Sequence, residues 1–455
     1  MPRKGNSAKL LKEVIDGNNT MQVAGRARLF LEAYPTVGIL IDVVGVGARA
    51  PHATLVAGFR HCRGVDRKRM LPPNWVEGSS MVRWRLFVVG FVSFAALGAR
   101  APGADILIAT AGPMTGVYAW AGERYQRGAA MAVDDLNAKG GVLGQRVELI
   151  VGDDFCDADQ AAALARKFAS DGVVFVAGHW CSHASIPAAT VYEEAGILQI
   201  APGSASAKLT DEGGPNVFRV CGRDDRQGEM VADHLADHWA GKEIAIVDDG
   251  TTWGAGVADG ARRRLNERGV TLAVDGTIAP GEDEYSTLVS KMQAAGVDVF
   301  FVGGYHREAG LIFRQAHDRG YNLQLIANSA MALEDFPMIA GPELEGTLIA
   351  AMTYTGDRPQ AKDVVAQFHA QGYEPLGYTL YTYAAVQVWA EAVEAAGSLD
   401  LDAALKVMHS RQFETVLGQI GLDGKGDVTG FEPWGWYVWQ ADGTYLPLEQ
   451  SVAKQ

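Results

Sequence analysis

The stretch "VELIVGDDFCDADQAAALARKFASDGVVFVAGHWCSHASIPAATVYEEAGILQIAPGSAS", residues 147–206, alternates short apolar runs with longer amphipathic ones. The runs "VELIV", "VVFVA" and "ILQIA" are the kind of unbroken apolar segment that a strand buried on both faces requires. The stretches at 158–170 and 185–195 carry one apolar stripe each, as a helix covering a sheet does. Asp157 stands where the first of these helices needs an N-cap. Strand, helix, strand, helix, strand in this order predicts a parallel sheet with helices on its faces.

The same order continues in both directions. Upstream lie "ILIAT" (106–110) and a helix over 120–138 that Lys139-Gly140-Gly141 closes. Downstream, after Arg223-Asp224-Asp225, a second set begins. It runs through helix 227–240, "EIAIVDD", helix 255–268, "VTLAVDG", helix 284–296, "VDVFFVGG", helix 307–319 and "LQLIA". Two α/β units of similar size result, an arrangement that binds ligands at strand carboxyl ends and between domains. Beyond Thr353 come helical stretches at about 359–371, 378–396 and 402–410. The run "WGWYVWQADGTYLPL" (434–448) follows, with Asp442-Gly443 as a hairpin turn.

The chain has 455 residues, 48% of them hydrophobic, and a net charge of −14. Residues 1–80 hold 12 Lys and Arg against 6 Asp and Glu, and residues 81–101 add three Arg, so residues 102–455 carry about −23. Such a surface repels nucleic acid and anionic lipid, which excludes polyanion binding. "MVRWRLFVVGFVSFAALGARA" (81–101) has the basic start, short apolar run and small residues of a secretory signal. An export signal belongs at a chain's beginning. Translation is therefore expected to start at Met81, with residues 1–80 as an extension of no settled fold.

Three cysteines remain beyond the signal: Cys156, Cys181 and Cys221. An oxidising compartment allows one pair. Cys156 and Cys181 each sit just past a strand, so neighbouring parallel strands would join them, leaving Cys221 as a buried thiol.

"GHWCSHAS" (178–185) invites three chemical readings. His179, Cys181 and His183 alternate as metal ligands on a strand could, but a helix starting near Ser185 puts His183 in the turn, and Cys181 has a sulfur partner. Ser182 or Cys181 as nucleophile would need an oriented base, and no G-x-S-x-G elbow is present. Asp153 and Asp154 point to opposite faces and are expected as solvated caps. "WGAGVADG" (253–260) opens a helix after a strand, yet its glycines do not match a dinucleotide-binding turn. Holding a ligand unchanged is what remains. Ser182 and the loop "APGSAS" (201–206) offer donors for a carboxylate at a helix start, and Trp253 and Tyr305 offer aromatic faces opposite.

From about residue 105 to the end, the chain resembles the type I periplasmic solute-binding proteins of ABC importers, the leucine/isoleucine/valine-binding family in particular. The likeness is carried by "AVDDLNAKGGVLGQRVELIVGDDFCDADQA", "VAGHWCS", "AGILQIAPGSASAKLT", "FFVGGYHREAGLIFRQA" and "YTYAAVQVWAEAV". The resemblance implies two Rossmann-like lobes with parallel sheets, joined by a three-segment hinge near Gly222, Thr353 and 430–435. Residues 104–222 with 353–430 would form the first lobe, and 223–352 with 431–448 the second. It implies a monomer that is no enzyme, needs no cofactor or metal, and hands its ligand in the periplasm to a permease in the inner membrane. A sensor passing lobe closure to a receptor is the alternative.

By the same resemblance Ser182 takes the ligand carboxylate, and Gly203 and Ala205 complete the polar contacts. Trp253, Tyr305 and Tyr378 wall the pocket, and Cys156 with Cys181 match the family disulfide. Two positions depart from the family. Ala205 replaces a threonine, and Ser329 stands where an acid balances the ligand ammonium, with Glu334 the acid nearby. An ammonium buried without a countercharge costs several kcal/mol. That argues against an ordinary leucine site. Trp180, with Trp120 and Trp253, could line a pocket for an aromatic or other organic acid; an amino acid or a small amide are the other candidates.

Overall fold

The computed structural model describes residues 105–333 and 336–452. The expected signal at 81–101, the extension before it and Glu334 lie outside these residues.

Five strands form the first sheet: β1 (Ile106–Gly112), β2 (Val147–Asp153), β3 (Phe175–Gly178), β4 (Leu198–Ala201) and β5 (Val217–Arg219). Their order is β2-β1-β3-β4-β5, and every pairing is parallel. Helices α1 (Ala119–Ala138), α2 (Ala158–Asp171) and α3 (Ser182–Ala195) make the crossovers. Asp157 caps α2, accepting from the amides of Asp159 and Gln160. Since α3 starts at Ser182, His183 belongs to its first turn and not, as expected, to the preceding loop.

After β5 the chain passes to a second sheet through α4 (Asp224–His238). There β6 (Ile244–Asp248), β7 (Val274–Thr277), β8 (Val299–Gly303), β9 (Gln324–Ala327) and β10 (Leu348–Met352) run parallel. Helices α5 (Thr252–Glu267), α6 (Ser286–Ala294) and α7 (His306–His317) connect them. The chain then returns to the first sheet at Thr353. Its 19-residue helix α8 (Tyr378–Ala396) packs there, with Trp389 stacked on Phe175 at a centroid distance of 5.2 Å. Burial on most sides leaves α8 only a narrow polar stripe of Gln387, Glu391 and Glu394; truncating Trp389 would cost about 3–5 kcal/mol.

A small antiparallel sheet follows: β11 (Phe413–Thr415), β12 (Gly418–Leu422) and β13 (Val428–Thr429). These strands carry no strong sequence pattern. The chain crosses a third time to lay β14 (Trp434–Trp439) antiparallel on β10 and, around the expected Asp442-Gly443 turn, β15 (Tyr445–Pro447) antiparallel on β14. The second sheet is thus mixed, a parallel body with an antiparallel edge. The fold is α/β, two lobes with three crossings between them.

Candidate functional site

The first wall rises from the carboxyl ends of β3 and β4. Cys181 caps α3 in an extended conformation, and Ser182 opens the helix at 1% exposure. Ser182 Oγ accepts the Ser206 amide at 3.2 Å, so the hydroxyl proton is left to point elsewhere. It lies at a helix N-terminus, where the dipole favours an anion.

The loop after β4 is held from behind. The fully buried Arg219 donates to the carbonyls of Ser204 (3.1 Å) and Ser206 (2.8 Å) and to Asp427 Oδ1 (2.6 Å). At Gly203 an added Cβ would stand 2.6 Å from the Tyr125 hydroxyl and 2.8 Å from the Tyr378 ring, so only bare backbone fits.

Cys156 and Cys181 form a disulfide, with Cα atoms 5.5 Å apart. Their strands are not neighbours as expected: β1 lies between β2 and β3, and the link bridges its end. Cys221 is buried, as expected, and burial pushes its thiol up to about 12.

Asp154 is no solvated cap. It is fully buried, accepting the Cys156 amide at 2.8 Å and contacting His179 Nδ1 at 2.7 Å. The other ring nitrogen of His179 meets the Tyr192 hydroxyl at 2.9 Å. Both nitrogens are thus engaged, and the imidazole is a brace rather than a base for Ser182. His183 Nε2 hydrogen bonds the Cys156 carbonyl at 2.7 Å. It lies within reach of both disulfide sulfurs, but these have no thiolate to offer a metal.

The second wall stands on the ends of β6, β8 and β9. Asp249 Oδ1 accepts the amide and hydroxyl of Thr251, and Thr251 caps α5 by accepting the Gly254 amide at 3.0 Å. This turn places Trp253. Asn328 donates to the carbonyls of Val302 (2.7 Å) and Gly304 (2.8 Å) and accepts the Ala330 amide (2.8 Å). One side chain therefore ties the loop of Tyr305 to the turn of Ser329.

The candidate residues converge on one chamber. Trp180, Ser182, Gly203, Ala205 and Tyr378 come from the first lobe, and Trp253, Tyr305 and Ser329 from the second. Ala330, Met352 and Trp434 complete it; no carboxylate lines it among the described residues. Its rings fill it so closely that only about 20 Å³ admits the centre of a water molecule. A wider cavity of about 510 Å³ shares Ser329, Met352 and Tyr378 with it and extends past Trp120, Arg124 and Tyr354.

The aromatic faces do not belong to one wall alone. Tyr305 lies 5.3 Å from Trp253, 5.7 Å from Trp180 and 5.0 Å from Tyr118, while Trp180 lies 6.0 Å from Tyr378. Burial holds the Tyr305 phenol well above its usual range. Tyr118 is pushed up to about 12, by burial first and then by the carboxylates of Glu308 and Asp249.

Sequence reasoning missed Tyr118, Trp434 and Arg219. Tyr118 precedes α1 in a stretch without pattern. Trp434 is one of three tryptophans in "WGWYVW", and nothing local marks which of them faces inward.

Residues 105–444 match the family model described as periplasmic binding protein. The Leu/Ile/Val-binding protein homolog 1 of Brucella melitensis biotype 1 is 41% identical over 352 residues, 76% of this chain and 94% of that protein. A leucine binding protein from Thermotoga maritima superposes with a TM-score of 0.69 at 25% identity, covering 75% of this chain and 97% of its own. An ABC transporter substrate-binding protein from Desulfitobacterium hafniense, solved in complex with Leu, gives 0.64 at 28% identity over 76% and 100%. With two α/β lobes, three crossings and a chamber between them, the chain belongs to the periplasmic binding protein family, among relatives of the branched-chain amino acid type.

Proposed function

We propose that this chain is exported to the periplasm and serves there, as a monomer, as the binding component of an ABC importer. It captures a small carboxylate-bearing solute, an amino acid or a related acid, and passes it unchanged to a permease in the inner membrane. The observation that carries this reading is the small chamber itself, whose lining comes from both lobes. A ligand gripped from both sides has more contacts when the lobes meet than when they part, and so favours closure by that difference. Ser182, Gly203 and Ala205 take the carboxylate, and the rings take the rest. No chemical step is assigned to the chamber, because the buried histidine nearest Ser182 in sequence, His179, is engaged at both ring nitrogens.

Thermal melting of the purified protein against a panel of amino acids and small organic acids tests this. A true ligand raises the midpoint in proportion to the logarithm of its concentration. A panel in which neutral solutes act and carboxylates do not would refute the anchor assigned to Ser182.

A further inference from the structure

The helix α4 ends in "HLADH" (234–238), with two histidines four positions apart. Neither of them lines the chamber. We infer that His234 and His238 together chelate one divalent transition-metal ion of the copper, nickel and zinc class.

Side chains at i and i+4 lie one above the other on a helix, the spacing that lets two imidazoles reach the same ion. Here the ring centres are 4.4 Å apart. A metal–nitrogen bond of about 2.0–2.1 Å on each ring would put the centres roughly 4.5–5 Å apart, so the pair needs only a slight opening. Among the described residues, no hydrogen bond or ion pair engages either ring, in contrast with His179, whose two nitrogens are both held. Nitrogen lone pairs are therefore free on both.

The surroundings fix the pair and select the metal. His234 packs on Trp436 of β14 at 4.8 Å. The carboxylates beside the histidines are already taken: Asp233 pairs with Arg264 (2.8 Å) and Arg268 (2.6 Å), and Asp237 pairs with Arg268. These ion pairs tie α4 to the end of α5, so little freedom is lost when an ion binds. They also leave nitrogen as the donor on offer. Imidazole suits copper, nickel and zinc, whereas magnesium and calcium demand oxygen. His238 is the last residue of α4, and the carbonyl end of a helix favours a cation. Water would fill the remaining positions, which makes this a site for an exchangeable ion rather than a closed structural one.

Calorimetric titration of the full chain with the chlorides of copper(II), nickel(II), zinc(II) and magnesium tests this. Copper should bind tightest, and magnesium should not compete with it. His234→Gln and His238→Gln should each weaken that site by about tenfold or more, the least that even an indirect metal partner is worth. His369→Gln, which removes a ring paired with Glu374 elsewhere, should leave it unchanged. Circular dichroism confirms that the variants fold. Electron paramagnetic resonance of the copper-bound chain should show two imidazole nitrogens on one ion, and one in either α4 variant. The inference is overturned if wild type binds no copper, if its copper spectrum shows no ion with two imidazoles, or if both α4 variants keep wild-type affinity and stoichiometry. None of these results touches the carboxylate-binding function.

Discussion

The two walls of the chamber are built by different means. The first wall is locked from behind: the disulfide joins the end of β2 to the cap of α3, the Asp154–His179–Tyr192 chain braces the turn, and Arg219 grips the carbonyls of the loop after β4. The second rests on aromatic rings and two hydrogen-bonded turns, those of Thr251 and Asn328. A polar anchor must hold its geometry to within a fraction of an ångström to be useful, because hydrogen bonds are directional. Ring contacts tolerate adjustment. The difference teaches where each wall can give: the first is fixed by directional bonds from behind, while the second rests on contacts that tolerate small shifts.

The contrast predicts that stability is concentrated behind the first wall. Asp154→Ala leaves His179 and the Cys156 amide buried without their partner, and should cost about 3–5 kcal/mol in urea unfolding. A loss under 1 kcal/mol would show that the brace is incidental. Replacing both Cys156 and Cys181 by alanine frees a loop of 25 residues and should cost roughly 3 kcal/mol by the same measurement. Substitutions in the second wall should act on binding instead.

Ser182→Ala probes the anchor, where the measured quantity is affinity. Losing one hydrogen bond to a carboxylate should weaken it about tenfold to a hundredfold. An unchanged dissociation constant would move the anchor elsewhere.

A separate effect is expected on pH dependence at the start of α4. Burial pushes the Asp224 carboxyl up to about 7, so the folded state keeps a proton that the unfolded chain releases near pH 4. Its contribution therefore rises as pH falls from about 7 toward 4 and is lost as pH rises through 7. His234 opposes it: its pKa is lowered to about 4, chiefly by burial, so its contribution falls over about pH 6.5 to 4. Asp211, held low by Arg223, contributes above pH 4 and loses that contribution below it. The clean readout is the difference between wild type and Asp224→Asn, in which the variant should be relatively more stable at pH 8 than at pH 5.5. Parallel profiles would mean that Asp224 is not the titrating group.

Much of the first lobe was legible because its signals are local. Periodicity marked the strands and helices, Asp157 marked a cap, and two cysteines past strand ends announced a bond. The chamber residues were legible through family resemblance laid on that frame. What escaped depends on distant partners. Asp154 reads as a surface cap until His179, 25 positions on, arrives beside it. Arg219 carries no local signal, because its partner Asp427 lies 208 positions away. The strands β11 to β13 are short and take their stability from the layer they pack against, so no window of sequence reveals them.

Trp434 occupies a place with a mechanical consequence. Its indole donates to the Arg223 carbonyl at 2.9 Å, and its ring atoms lie 2.5 Å from where a side chain on Gly222 would begin. The first and third crossings are thereby geared together, so that one cannot twist without turning the other. A fluorophore seated in that gear, with its face on the chamber, makes the molecule its own strain gauge.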